Sequence, residues 1–246
     1  MEKIFINPGH GYKSNGVYDP GAVGPTGYQE AVCVQTIGGL LASKLQSVGA
    51  GSKVYQHGDL NSVGAGANTW GADLFVSIHC NSNIGTPGTG TETYHYPGST
   101  RGNALSATIQ TELVNAFGRT DRGVKTANFQ VLRDTIMPAA LVEMLFINNP
   151  TEETMLKSAA WQEKAAEALA TGICRYIGIL YPPAPGPWLV RVTDNALNIR
   201  SGPGTDYAIT GVIRDMGVYT IVEQNGTWGR LKSGAGWISL VYTVKV

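Results

Sequence analysis

Three of the four histidines in this 246-residue chain each follow a short apolar run. His10 comes after Ile4-Phe5-Ile6-Asn7, His57 after Lys53-Val54-Tyr55-Gln56, and His79 after Asp73-Leu74-Phe75-Val76-Ser77-Ile78. Runs of β-branched and aromatic residues read as buried strands, and Pro8-Gly9 stops the first one abruptly. Such a strand delivers His10 to the rim of a sheet, where ligands and metals bind in open α/β folds. A hydrolytic zinc site takes three ligands from His, Asp or Glu and keeps one position open for water. Position after a strand alone therefore nominates His10, His57 and His79. A lone acid, Glu143, interrupts the apolar run Ala139 to Leu145. A carboxylate there is costly to bury unless it is paired, metal-bound or protonated, and it suits proton transfer beside a metal. Glu30 falls at the start of a helical pattern, where an acid simply complements the helix dipole.

The elements that must carry these groups alternate. After the Gly- and Pro-rich loop 11–28, Val34, Ile37, Leu41, Leu45 and Val48 recur at helical spacing, with Gly49 as the C-cap. Lys53 to His57 and Asp73 to Asn81 read as strands, joined by a short helical or irregular crossover. Thr89 to Pro97 alternates as an edge strand would, and Ser99 to Phe117 reads as a helix. Phe129 to Leu132 and Ala139 to Leu145 read as strands, before a long amphipathic helix through Trp161, Ala165, Leu169, Ile173, Tyr176 and Leu180. This order predicts an α/β domain over 1–180, a mostly parallel twisted sheet with helices on both faces. Residues 181–187, Tyr-Pro-Pro-Ala-Pro-Gly-Pro, have the composition of a stiff linker. From 188 to 246 short strands alternate with Gly, Asn and Asp turns, as in a small all-β barrel.

Eighteen basic and eighteen acidic residues cancel, which leaves no long-range field for nucleic acid or an anionic membrane. No apolar run is long enough to insert in a bilayer. Cys33, Cys80 and Cys174 are odd in number and widely spaced, so neither a disulfide framework nor a cysteine zinc site is indicated. The start of the chain shows no secretory signal, so the expectation is synthesis in the cytoplasm and action at the cell wall after release. Oligomeric state is not legible.

A family resemblance rests on blocks that run in order across residues 4 to 180. They are Asn7-Pro8-Gly9-His10-Gly11, Asp19-Pro20-Gly21-Ala22, Gly27-Tyr28-Gln29-Glu30, Ala67-Asn68, Ala72 to Asn81, Asp121-Arg122-Gly123-Val124-Lys125, Val131-Leu132-Arg133 and Met137 to Glu143. In these the chain resembles the zinc-dependent N-acetylmuramoyl-L-alanine amidases of the amidase type 3 family, which include autolysins and phage endolysins. The resemblance implies Zn2+ held by His10, Glu30 and His79, with Glu143 as the catalytic base. It thereby replaces His57 by Glu30. It also implies a peptidoglycan substrate, cut between N-acetylmuramic acid and the L-alanine of the stem peptide. Asn81 and Asn128 are candidate substrate-binding residues. The chain departs from the family pattern at Gln56-His57, where a Thr-Arg pair is usual, in lacking an arginine before Ala67-Asn68, and at Met144, where glycine is common. Residues 82–103 are too short and Gly-rich for the site-plugging helix of some members.

Leu197-Asn198-Ile199-Arg200-Ser201-Gly202-Pro203, with Gly226-Thr227-Trp228 and Gly236-Trp237-Ile238, resembles the bacterial SH3-like domain, which implies wall binding by 188–246. Two other functions stay open: a zinc peptidase cutting within the stem peptide, and a non-catalytic wall-binding protein on an amidase scaffold. Neither a dinucleotide loop, a serine-hydrolase elbow nor a phosphate loop is supported by the glycines and serines present.

Overall fold

In strand β1 (Lys3–Pro8) the side chains alternate between two cores. Ile4 and Ile6 join one apolar cluster, while Phe5 joins the other. That division follows from the period of two along a strand, and it requires cover on both faces of the sheet. The computed structural model describes residues 1–181 and 187–246. The chain divides into two compact units, Met1–Tyr181 and Pro182–Val246. The linker expected at 181–187 lies, apart from its end residues, outside the described residues.

In the first unit a six-stranded sheet has the order β4-β1-β5-β8-β6-β7. Its members besides β1 are β4 (Gly51–Val54), β5 (Leu74–Asn81), β6 (Thr91–His95), β7 (Asp121–Thr126) and β8 (Ala139–Phe146). The pairs β1–β4, β1–β5, β5–β8 and β6–β7 are parallel; β6 runs antiparallel to β8. On one face pack helices α1 (Glu30–Ser47), α3 (Thr100–Phe117) and α6 (Ala159–Ile177), through side chains such as Val34, Ile37, Leu105, Ile109, Leu169 and Ile173. On the other face α2 (Leu60–Trp70) and α4 (Gln130–Arg133) place Val63, Ala67, Val131 and Leu132 against Phe5 and Phe75. Each fully buried aliphatic side chain contributes roughly 1.5–3 kcal/mol, so these faces hold the strand ends in fixed register. Met144 belongs to the first core, where it is wholly buried.

The structure corrects several expected elements. Phe129–Leu132 is not a strand; Gln130–Arg133 forms the single helical turn α4. Thr91–His95 is not an edge strand, because β7 pairs with its outer side. A short helix α5 (Pro150–Lys157) follows β8, capped by the Asn149 side chain at the Thr151 and Glu152 amides. Inside the loop 11–28 lies a two-stranded hairpin of β2 (Gly11–Tyr12) and β3 (Tyr18–Asp19). Among the described residues the segment between β5 and α3 holds no helix, and no helix is long and apolar enough to cross a membrane.

The second unit is all-β. Its strands β9 (Trp188–Val192), β10 (Leu197–Arg200), β11 (Ile209–Ile213), β12 (Val218–Asn225), β13 (Trp228–Leu231), β14 (Trp237–Ser239) and β15 (Thr243–Lys245) pair antiparallel in the order β11-β10-β14-β13-β12-β9-β15. Val190, Val192, Leu197, Ile213, Ile221, Leu231 and Ile238 fill its core.

Candidate metal centre and its proton-transfer group

His10 leaves β1 in the left-handed backbone region, at φ +63°, the one non-glycine residue among those described that does so. Such a conformation costs about 1–2 kcal/mol and marks a place where surrounding contacts over-determine the backbone. The contacts are visible. The Gly9 amide donates to the Ile78 carbonyl at 2.9 Å, tying the turn to β5. His10 Nδ1 lies 3.2 Å from Asp19 Oδ2 on β3, and His10 Nε2 lies 3.1 Å from Glu30 Oε2. The hairpin thus orients the imidazole, leaving Nε2 to face the cluster.

Glu30 is the first residue of α1 and is almost wholly buried. Its Oε2 accepts from the Ala22 amide at 2.9 Å, and its Oε1 from the Cys80 amide at 2.9 Å. His79 Nδ1 lies 3.0 Å from Oε1. Burial alone would raise this carboxyl, but hydrogen bonds and charge from His10 and His79 outweigh it and hold Glu30 well below the usual carboxylate range. Burial likewise tends to lower His10, yet Glu30 and Asp19 push it up to about 9. The loop before Glu30 is pinned from α5, where buried Glu153 accepts from the Thr26 amide at 3.0 Å and hydroxyl at 2.8 Å.

The ligand atoms of His10, Glu30 and His79 lie within 4.8 Å of one another. Two backbone positions are shaped around them. A Cβ on Gly9 would stand 2.1 Å from His79 Cε1, and one on Gly21, at φ +67°, 2.6 Å from His10 Cδ2 and 2.7 Å from Glu30 Oε2. Two imidazoles and one carboxylate are a donor set suited to a divalent transition metal. The carboxylate of Asp19 on the far nitrogen of His10 is the usual outer support of such a ligand.

Glu143 stands directly beside His79, its register partner across the parallel strands β5 and β8. Its Oε2 is buried and has no hydrogen-bond partner among the described residues. Burial, reinforced by the negative charges of Glu30 and Glu92 against the opposing His79 and His10, pushes its carboxyl up to about 7. A carboxyl poised near neutrality next to a candidate metal centre can both take and return a proton.

His57 is elsewhere. Its ring stacks on Tyr55 at 5.6 Å between centroids, and its Nδ1 accepts from the Asp59 amide at 3.0 Å. The neighbouring Gln56 donates to the carbonyls of Gly9 at 3.1 Å and Ala31 at 2.8 Å, and so ties together the segments bearing His10 and Glu30. His95 is buried, with Nδ1 3.0 Å from the Tyr96 carbonyl oxygen. The Asn81 amide donates to Glu92 Oε1 at 2.6 Å and, among the described residues, makes no hydrogen bond to the cluster. Asn128 accepts from Arg133 at 3.3 Å and makes no hydrogen bond to the cluster among the described residues. Asp19 and Glu92 were not singled out from sequence. The only trace of Asp19 is its place in the Asp-Pro-Gly block, and of Glu92 its place in an alternating strand.

Residues 4–175 match the family described as N-acetylmuramoyl-L-alanine amidase. The chain belongs to that family. Over 199 residues it is 36% identical to the sporulation-specific N-acetylmuramoyl-L-alanine amidase of Bacillus subtilis, covering 78% of this chain and 74% of the relative. An endolysin of Bacillus phage SPP1 is 40% identical over 122 residues, 46% of this chain and 43% of that protein. Among solved structures, the amidase AmiC2 of Nostoc punctiforme aligns with a TM-score of 0.66 at 31% identity, over 72% of this chain and 97% of that one. The amidase fold thus corresponds to the first unit, and His10, Glu30, His79 and Glu143 all fall within the matched span.

Proposed function

We propose that this amidase hydrolyses the amide between N-acetylmuramic acid and the L-alanine of the stem peptide in peptidoglycan, with zinc held by His10, Glu30 and His79. The observation that carries the reading is Glu143, a buried carboxyl with a free oxygen, in register beside the ligand His79. A bound zinc ion supplies Lewis acidity, polarising the carbonyl and making water acidic. The chain supplies the rest. Glu30, anchored by the Ala22 and Cys80 amides, stays anionic and brings negative charge to the cation. Asp19 fixes the tautomer of His10, so that Nε2 presents its lone pair. Glu143 takes a proton from the attacking water and returns it to the leaving amine of L-alanine.

We infer that the second unit, whose antiparallel all-β build is compatible with the bacterial SH3-like domain, is the wall-binding part of an endolysin or autolysin acting outside the cytoplasm. The test of catalysis is a digest of purified peptidoglycan with and without a chelator. New L-alanine amines without new reducing ends, abolished by chelation and restored by zinc, are expected. New D-amino-acid termini would instead indicate a stem-peptide peptidase, and no cleavage with retained binding a wall-binding protein.

A further inference from the structure

Next to Glu143, on the side away from β1, lies a second charged cluster that the reaction as described does not use. Its centre is Glu92 on β6, which is buried and is the register partner of Glu143. Four donors converge on this one carboxylate. Oε1 accepts from Asn81 at 2.6 Å and from the Tyr94 hydroxyl at 2.9 Å; Oε2 accepts from Arg122 Nε at 2.8 Å and from Lys125 Nζ. Two oxygens with four partners are saturated. The cations are not. The Arg122 and Lys125 side chains are 34% and 38% exposed, against 4% for Glu92. Among the described residues the terminal guanidinium nitrogens of Arg122 have no hydrogen-bond partner, while its plane lies 4.8 Å over the Phe146 ring. The result is two cations on one anion, a surplus positive charge fixed in place with donors turned outward.

Sheet order gives this charge a direction. Across the rim come the ligand His10 after β1, the ligand His79 on β5, the proton-transfer group Glu143 on β8, then Glu92 on β6 and Arg122 with Lys125 on β7. A group that protonates the leaving amine lies on the amine side of the scissile bond. The peptide leaving group therefore runs toward β6 and β7, and the glycan toward β1 and β4. Two inter-strand steps from β8 to β7 span on the order of 10 Å, about three residues of extended peptide. A carboxylate of the stem peptide beyond L-alanine falls within that span.

We propose that Arg122 and Lys125, held outward by the buried Glu92, form a subsite for a stem-peptide carboxylate on the leaving-group side of the scissile bond. This rests on the amidase reading of the site. A planar guanidinium beside an ammonium suits a carboxylate, and Glu92 pre-orders both cations so that little side-chain entropy is lost on binding.

The experiment measures binding of the free peptide L-alanyl-γ-D-glutamyl-L-lysine to the full chain by calorimetry, with the glutamyl α-carboxylate free or amidated. Tighter binding of the free form is expected, by about tenfold, the scale of one charge-assisted hydrogen bond. Arg122→Gln and Lys125→Gln should each weaken the free form alone, and Lys125→Arg should restore the preference. Equal affinity for the two peptides in the unsubstituted protein, which needs no variant, would overturn the proposal, as would equal losses for both forms in the variants. Cleavage of the matching muramoyl peptides separates the two readings. A carboxylate preference in binding without release of the L-alanine amine upholds the subsite and removes the amidase reading. Cleavage of both forms at equal kcat/KM does the reverse.

Discussion

Glu143→Gln should stabilise the metal-free protein while abolishing its activity, and the size of the gain follows from the fold. In the unfolded chain this carboxyl ionises at its ordinary 4.5, whereas burial pushes it up to about 7 in the folded protein. A group raised in this way contributes stability that is fully present below pH 4.5 and is lost as pH rises through 7. At about 1.4 kcal/mol per unit of pKa, the loss above pH 7 is about 3 kcal/mol. Glutamine has nearly the same shape and never ionises, so it escapes that loss. His10 and Glu30 titrate in both proteins and largely cancel from the comparison. The chelator-treated variant should therefore be about 3 kcal/mol more stable than the parent at pH 8, and equal to it near pH 4.5. For a unit of this size that is a rise of roughly 6–12 °C in Tm. Scanning calorimetry of the full chain at the two pH values, following the transition of the first unit, measures it. No gain at pH 8, or the same gain at both pH values, would refute the claim that Glu143 is a buried, unpartnered acid. Turnover should vanish in the same variant with zinc still bound, and retained activity would mean that another group moves the proton.

Glu30→Ala should weaken zinc binding by more than the ~10–100-fold typical of losing an outer partner, while His57→Ala leaves it unchanged; competition with a chromophoric chelator compares them. In the same assay Asp19→Asn should cost about 10–100-fold, because His10 loses the carboxylate that orients it. Gly21→Ala should keep the fold by circular dichroism yet lose metal, since its Cβ would lie 2.6 Å from His10 and 2.7 Å from Glu30 at a φ of +67°; an unchanged affinity would show that the cluster tolerates displacement. Zinc binding at pH 7 should release about one proton from His10, which in the free protein ionises up at about 9. Calorimetry in buffers of different ionisation enthalpy counts that proton, and none is expected from Glu30, already anionic.

Much of the first unit can be read from residue type. The apolar runs of β1, β5 and β8 are buried on both faces and so appear as continuous hydrophobic segments. His10 follows β1, His79 lies near the end of β5 and Glu143 sits within β8; those three positions stand out without any relative, although position alone nominates His57 beside them. β7 is harder, because an edge strand reading Asp-Arg-Gly-Val-Lys-Thr, largely exposed, has no hydrophobic signature. For the same reason the outer position of β6 looked free. Phe129 to Leu132 misleads because three apolar residues around Gln130 fit a strand or one helical turn equally, and in the folded chain Val131 and Leu132 of the turn join the core against α2. Glu30 is the instructive case. An acid in the first turn of a helix needs no further explanation, and the contacts that bring it into the candidate metal centre come from Ala22, His10 and Cys80, two of them across a folded loop and one 50 residues away. Only the family resemblance brought Glu30 forward, since neither helix periodicity nor local charge encodes that approach.

The register of His79 against Glu143 divides the centre into a stiff half and an adjustable half. Their separation is set by the ladder between two central strands, a dimension that side-chain substitutions elsewhere scarcely alter. Glu30 and His10 are instead mounted on a helix start and a strained turn, braced by a hairpin and by Glu153 from α5. Warming or mild denaturant should therefore loosen the cation's seat before it disturbs the acid beside it. Variants of the 11–29 segment can retune how firmly metal is kept while the proton-transfer geometry is inherited intact from the sheet.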